Sequence, residues 1–217
     1  QDENSIFLLT EFVQGGEMWN LLYMLEGSKI KRANLPRTRC GGFYHEHARF
    51  YASCVIEALS FMHSKGVAYR DLKPENMMID NTGYVKLIDM GFAKPIPFKR
   101  GKIVSQRSFS LCGTPDYVSP ELVLGKGHDH TVDYWAYGVY VYELMVGRTP
   151  FFHDDQNQVF KMICNSCKYF IKCGIIFISV NFDINCALTQ TQILCIFLFF
   201  CNPFFLSLCL CLHFLSW

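Results

Sequence analysis

Apolar and polar positions along the chain mark four structured stretches separated by polar loops. Ile6-Phe7-Leu8-Leu9-Thr10-Glu11-Phe12-Val13 is a short apolar run closed by Gly15-Gly16, which predicts a buried strand leading into a loop. From about Tyr44 to Ser64, Ala48, Tyr51, Ala52, Val55, Ala58, Leu59 and Met62 recur at three- and four-residue steps. That spacing predicts an amphipathic helix, with Gly66 placed for a left-handed C-terminal cap. Met77-Met78-Ile79 and Tyr84-Val85-Lys86-Leu87-Ile88 flank Asp80-Asn81-Thr82-Gly83, two short strands joined by turn residues. Val132 to Val146 is apolar on almost every side and ends at Gly147, so a helix buried in the core is expected.

The loops around the hairpin carry the chemistry. Tyr69-Arg70-Asp71-Leu72-Lys73-Pro74-Glu75-Asn76 holds the residue types that phosphoryl transfer to an alcohol requires. A carboxylate must accept or orient the hydroxyl proton, a cation must balance charge on the phosphoryl group, and an amide oxygen must help hold a divalent metal. Asp71, Lys73 and Asn76 fit those roles, against the plainer reading of a polar surface turn. Asp89-Met90-Gly91 follows the hairpin and offers a second hard oxygen ligand of the kind Mg²⁺ prefers. In isolation an Asp two residues before a Gly is an ordinary turn. Its placement behind Asn76 argues for the ligand.

With Gly113-Thr114-Pro115-Asp116-Tyr117-Val118-Ser119-Pro120-Glu121, these segments make the chain resemble a eukaryotic protein kinase from its fifth strand through about Asn165. Tyr69 before Arg70-Asp71, the stretch Gly15-Gly16-Glu17-Met18 and Gly91-Phe92-Ala93-Lys94 look like the cyclic-nucleotide-dependent branch of the AGC kinases. Lys73 in the catalytic loop is the Ser/Thr-kinase pattern. Lys126-Gly127-His128-Asp129 and Asp133-Tyr134-Trp135 look closest to cGMP-dependent kinases, then cAMP-dependent ones.

The resemblance implies an α+β, bilobal kinase fold, here the end of the N-lobe, the hinge and the first part of the mainly helical C-lobe. It implies ATP and Mg²⁺, with Asn76 and Asp89 on the metal. Glu11 and Val13 become hinge residues whose backbone binds adenine, and Thr10 the gatekeeper. Glu17 would meet the ribose and a basic substrate residue, while Glu75 and Glu143 match acidic positions that read another substrate arginine. Each of these glutamates, taken alone, reads as a solvated charge. Protein substrates with Arg or Lys before the Ser/Thr are therefore implied as partners. Ser110 falls where AGC kinases carry an activation-loop phosphate, facing Arg70 and Lys94. Thr114 is expected to hydrogen-bond near Asp71 and Lys73. Asp133 matches the residue that anchors the catalytic loop, or else serves as a helix N-cap. Met90 replaces a usual Phe, keeping an apolar residue in the regulatory stack, and Ser119 replaces Ala. Pro95 to Gln106 reads as a solvated insertion.

Composition qualifies this picture at the C-terminal end. The chain is 51% hydrophobic and 16% aromatic, and the excess is concentrated there. Basic and acidic residues balance up to Ile163, so no nucleic-acid partner is expected. Cys40, Cys54 and Cys112 are irregularly spaced and the other eight of 11 cysteines crowd from Cys164 onward, which predicts no disulfide framework and a reducing, cytoplasmic compartment. There is no internal repeat or signal peptide, and Gln1 does not read as a natural start. Residues 1–165 are thus expected to be a partial kinase catalytic domain, and 166–217 a non-kinase hydrophobic tail rich in Cys and Phe.

Ile193 to Trp217 carries no formal charge and is long enough to span a bilayer, though Asn202-Pro203 interrupts it. The preferred reading is a translated intron, since its residues are mostly those of pyrimidine-rich codons. Cys164-Asn165-Ser166-Cys167 has metal-ligand spacing without a matching second pair, so zinc is not expected. A Gly-rich phosphate loop, a strand-three Lys with its helix Glu, and an Arg to pair with Glu121 are all missing from the pattern. The resemblance then implies inefficient catalysis by the chain as given. Two function classes stay open. One is part of an active Ser/Thr kinase preceded by cyclic-nucleotide-binding domains. The other is an inactive kinase-like binding module, attached to a membrane only if the tail is real.

Overall fold

The computed structural model describes residues 2–5, 7, 9–23, 35–96, 98–99, 102–103 and 107–173. It is a mixed α+β arrangement built around two helices, α2 (His45–Ser64) and α4 (Thr131–Val146). Ala48, Tyr51, Ala52, Val55 and Leu59 form the buried face of α2, as their spacing predicts. Gly66 follows with φ 72°. The α4 helix is buried along nearly its whole length and lies against α2, tied by the Tyr137 hydroxyl donating to the Ala52 carbonyl at 3.1 Å. It ends at Gly147, whose φ of 81° a side chain would make costly, and whose N–H returns to the Glu143 carbonyl at 2.7 Å.

Between these helices the chain forms β1 (Val67–Ala68), the hairpin β2 (Met77–Ile79) and β3 (Val85–Leu87), and β4 (Lys94–Pro95). The hairpin pairs Met77 with Leu87 and Ile79 with Val85 in antiparallel register. Asp80 closes its turn, one carboxylate oxygen accepting from the Thr82 and Tyr84 amides. β1 pairs with β4, so the ends of both polar loops are fixed to one another. A second small ribbon, β5 (Phe98–Lys99) with β6 (Lys102–Ile103), lies inside the expected insertion. After α3 (Pro120–Val123), α5 (Gln156–Cys173) buries Val159 and Ile163 and runs unbroken through residue 166.

The short helix α1 (Met18–Tyr23) follows a backbone contact between Gly15, Gly16 and Ile79. The approach is so close that a Cβ on Gly15 would stand 2.3 Å from the Ile79 carbonyl oxygen, which only glycine permits. Upstream the expectation of a buried strand fails. No strand among the described residues pairs with it, and Phe7, Leu9 and Phe12 are exposed while Val13 is buried. An apolar run becomes a buried strand only where a neighbouring edge completes its hydrogen bonds.

Cys54, Cys112 and Cys164 are free thiols. Ser119 is fully buried, and its hydroxyl lacks a partner among the described residues. Among the described residues no helix is long and apolar enough to cross a membrane, and no three or more His, Cys, Asp or Glu side chains cluster as a metal site. The expectations for 174–217, including the span at Ile193 to Trp217, lie outside the described residues.

Candidate active site

Asp133 organises the catalytic loop. It is fully buried in the first turn of α4, and its two oxygens accept from the backbone N–H groups of Tyr69 and Arg70 at 2.8 and 2.7 Å. His63 at the end of α2 meets the same carboxylate at 2.7 Å. The loop needs such a tether, because Arg70 has φ 70°, a left-handed conformation costing a non-glycine residue about 1–2 kcal/mol. The N-cap alternative for Asp133 is excluded, since His130 precedes the helix. Asp129, one residue before that cap, closes a turn into the helix, its carboxylate accepting from the Thr131 amide and hydroxyl at 2.8 and 2.6 Å, a contact the sequence reading missed. A polar residue just before the apolar run was the available signal.

The tether places Asp71 within a closed set of polar contacts. Asp71 is buried, and Asn76 Nδ2 donates to its Oδ2 at 2.7 Å and to its carbonyl at 2.9 Å. Lys73 Nζ stands 3.2 Å from Asp71 Oδ2 and donates to Thr114 Oγ1 at 2.9 Å. Thr114 in turn donates to Asp71 Oδ1 at 3.2 Å. The four residues singled out for catalysis are therefore joined in one network through Asp71, although Thr114 lies far along the chain. Buried Tyr69 ties this loop to the next, its hydroxyl donating to the Ile88 carbonyl at 2.5 Å.

Ile88 also donates its N–H to the Asn76 carbonyl at 3.0 Å, which brings the start of the second loop beside the first. Asp89 follows with φ 57° and an exposed carboxylate, one oxygen accepting from the Gly91 amide at 2.9 Å. Asn76 engages Asp71 through its nitrogen, which leaves its amide oxygen as an acceptor. Two hard oxygen donors on adjoining strand ends suit a divalent cation. Met90 is 49% exposed, so the apolar stack expected of it is not formed among the described residues.

The remaining candidates are more scattered. Thr10, Glu11, Glu17 and Glu75 are exposed. Glu11 forms an ion pair with Lys86 of β3, and Asn20 donates to Glu17 at 3.3 Å. Ser110 is exposed, whereas Arg70 Nη1 and Lys94 Nζ both donate to buried Ser108 Oγ at 3.1 Å. His128 completes that basic pocket 3.3 Å from Arg70. Its pKa is lowered by burial first and then by Arg70 and Lys94, so it is a neutral acceptor there.

Glu143 departs furthest from expectation. It is 3% exposed on α4, and its two oxygens accept from the hydroxyls of Tyr23 and Tyr117. Burial pushes its pKa up to about 8, with Glu75 and Asp116 adding to the rise and the Tyr23 bond opposing it. An exposed glutamate loses its proton near 4.5, so the unfolded chain releases this proton first. Stability contributed by neutral Glu143 is thus fully present below about 4.5 and declines as pH rises towards about 8. Glu143→Gln should flatten that decline, which urea midpoints compared at pH 5 and pH 8 would show.

The protein kinase domain family matches residues 1–195. The chain belongs to the protein kinase family. This kinase domain is related to the cyclic-nucleotide-dependent AGC kinases. It is 44% identical over 163 residues to a cGMP-dependent protein kinase of Caenorhabditis elegans, covering 75% of this chain and 18% of that protein. It is 42% identical to isozyme 1 of the Drosophila melanogaster cGMP-dependent kinase, covering 75% and 18%. The cAMP-dependent kinase catalytic subunit of Dictyostelium discoideum is 40% identical, covering 75% and 22%. The kinase domain thus spans about a fifth of the length of these curated relatives.

Proposed function

We propose that the chain is the phosphoryl-transferring part of a Ser/Thr protein kinase of bilobal architecture that moves the γ-phosphate of ATP to protein substrates with basic residues before the acceptor. The contact set of Asp71, Lys73, Asn76 and Thr114, held from behind by Asp133, carries this reading. Asp71 accepts the proton of the substrate hydroxyl as its oxygen bonds to the γ-phosphorus and the bond to the β-phosphate oxygen breaks, releasing ADP. Lys73 supplies positive charge beside the transferring group, and Thr114 keeps Lys73 and Asp71 in register. Asn76 and Asp89 fit Mg²⁺, which when bound neutralises phosphate charge. The Glu11 and Val13 backbones would hold adenine, with Thr10 behind it, and Glu17 and Glu75 would face ribose and substrate. Cytoplasmic cyclic-nucleotide control belongs to the same reading.

A phosphate on Ser110 would dock on Arg70 and Lys94, displacing the Ser108 hydroxyl that now sits between them. Ser110→Ala should lower the peptide phosphorylation rate about 10-fold or more, consistent with lost loop positioning. Unchanged activity in that variant removes the switch from the proposal.

The whole reading is tested by heating the full chain with and without ATP and Mg²⁺, then measuring transfer of labelled phosphate to an arginine-containing serine peptide. Metal-dependent stabilisation with transfer supports it. Stabilisation without transfer would leave a nucleotide-binding module, and neither would overturn it.

A further inference from the structure

Glu143 is a buried carboxyl group, and each of its oxygens already accepts a hydrogen bond. Tyr23, the last residue of α1, donates its hydroxyl to one oxygen, and Tyr117, in the turn after the Thr114 segment, donates to the other. Two acidic groups, Glu75 and Asp116, also act electrostatically on Glu143. Among the described residues no Lys, Arg or His forms an ion pair with it. A guanidinium binds a carboxylate best through two parallel N–H bonds, one to each oxygen. Both oxygens accept from phenols here, and the Tyr23 ring packs against Trp19 at 5.4 Å between ring centres.

We infer that Tyr23 is a specificity-determining residue, its phenol taking on Glu143 the place of a substrate guanidinium, so that one position of the substrate needs no arginine. This rests on the proposed basic-peptide kinase reading and narrows it. The carboxyl group is satisfied from within, and an incoming arginine would have to displace a neutral hydroxyl that is already packed and bonded. Without the Tyr23 hydroxyl, one oxygen of Glu143 loses its donor while Glu75 and Asp116 stay in place. The same pocket then favours a cation, which satisfies the orphaned acceptor and offsets three neighbouring carboxyl groups.

The test uses the full chain with ATP and Mg²⁺ and a fluorescein-labelled peptide carrying three arginines before alanine at the acceptor position. Companion peptides have each arginine replaced in turn by glutamine, and binding is read by anisotropy. For the wild-type chain, one of the three replacements should change Kd by less than about 2-fold. In Tyr23→Phe, which keeps the ring and its packing, and in Tyr23→Ala, the same replacement should weaken binding about 10-fold, equivalent to about 1.4 kcal/mol. A purely structural role for Tyr23 would weaken all peptides together and leave their ratios unchanged. The inference is overturned if every arginine already matters about 10-fold to the wild type, or if the ratios are the same in both variants. If none of the proteins binds any of the peptides, the basic-substrate reading fails, and this refinement fails with it.

Discussion

Asp71→Asn should lower phosphoryl transfer to a serine peptide by about 10²–10⁴-fold, the range general-base catalysis contributes. The change is nearly isosteric, and the contacts around it predict that the loop survives. Asn76 Nδ2 and Thr114 Oγ1 both donate to the Asp71 carboxylate, and Lys73 faces it at 3.2 Å. An asparagine can accept from one of these donors, but it supplies neither the negative charge beside Lys73 nor a site for the substrate proton. The loss should therefore fall on kcat, with KM for the peptide nearly unchanged, because the interaction matters chiefly in the transition state. Rates and KM measured side by side with the wild-type chain decide it. A variant within about 3-fold of wild type in kcat would take Asp71 out of the proton-transfer role.

The parts of this protein that are legible in its sequence are those whose signals are local. α2 and α4 announce themselves by three- and four-residue spacing or by apolarity on almost every side closed by glycine. The hairpin is marked by a turn whose Asp80 bonds within the turn itself. Asp71, Lys73 and Asn76 lie within one turn of chain, so their contact follows from short spacing. Thr114 joins them from a distance, and its contact was expected only through family resemblance.

What was not legible depends on partners chosen in three dimensions. Glu143 looks like one more surface glutamate until α1 and the turn at Tyr117 bring two phenols to it from far along the chain. Arg70 and Lys94 both meet Ser108, because the pairing of Ser108 with His128 through two backbone bonds sets its hydroxyl between them. The run from Ile6 to Val13 has the composition of a buried strand, yet burial needs a paired edge, and no strand pairs with it among the described residues.

Asp133→Ala should destabilise the chain by about 3–5 kcal/mol, the cost of leaving buried polar partners without their charged counterpart. The carboxylate has no exposed surface, and three donors converge on it: the Tyr69 and Arg70 amides and the His63 ring. Truncation orphans all of them and opens a cavity at the start of α4. It also releases Arg70 from its φ of 70°, so the loop can relax towards a commoner conformation and carry Asp71 away from Thr114 and Lys73. Asp133→Asn is the discriminating companion. Its side-chain oxygen can still accept from one amide, but its NH₂ meets the other donors. It should therefore lose less stability than alanine while transferring phosphate as poorly. Chemical denaturation followed by activity of the folded fraction would separate the two effects. A folded Asp133→Ala chain with wild-type transfer would show that the catalytic loop holds its shape without this anchor.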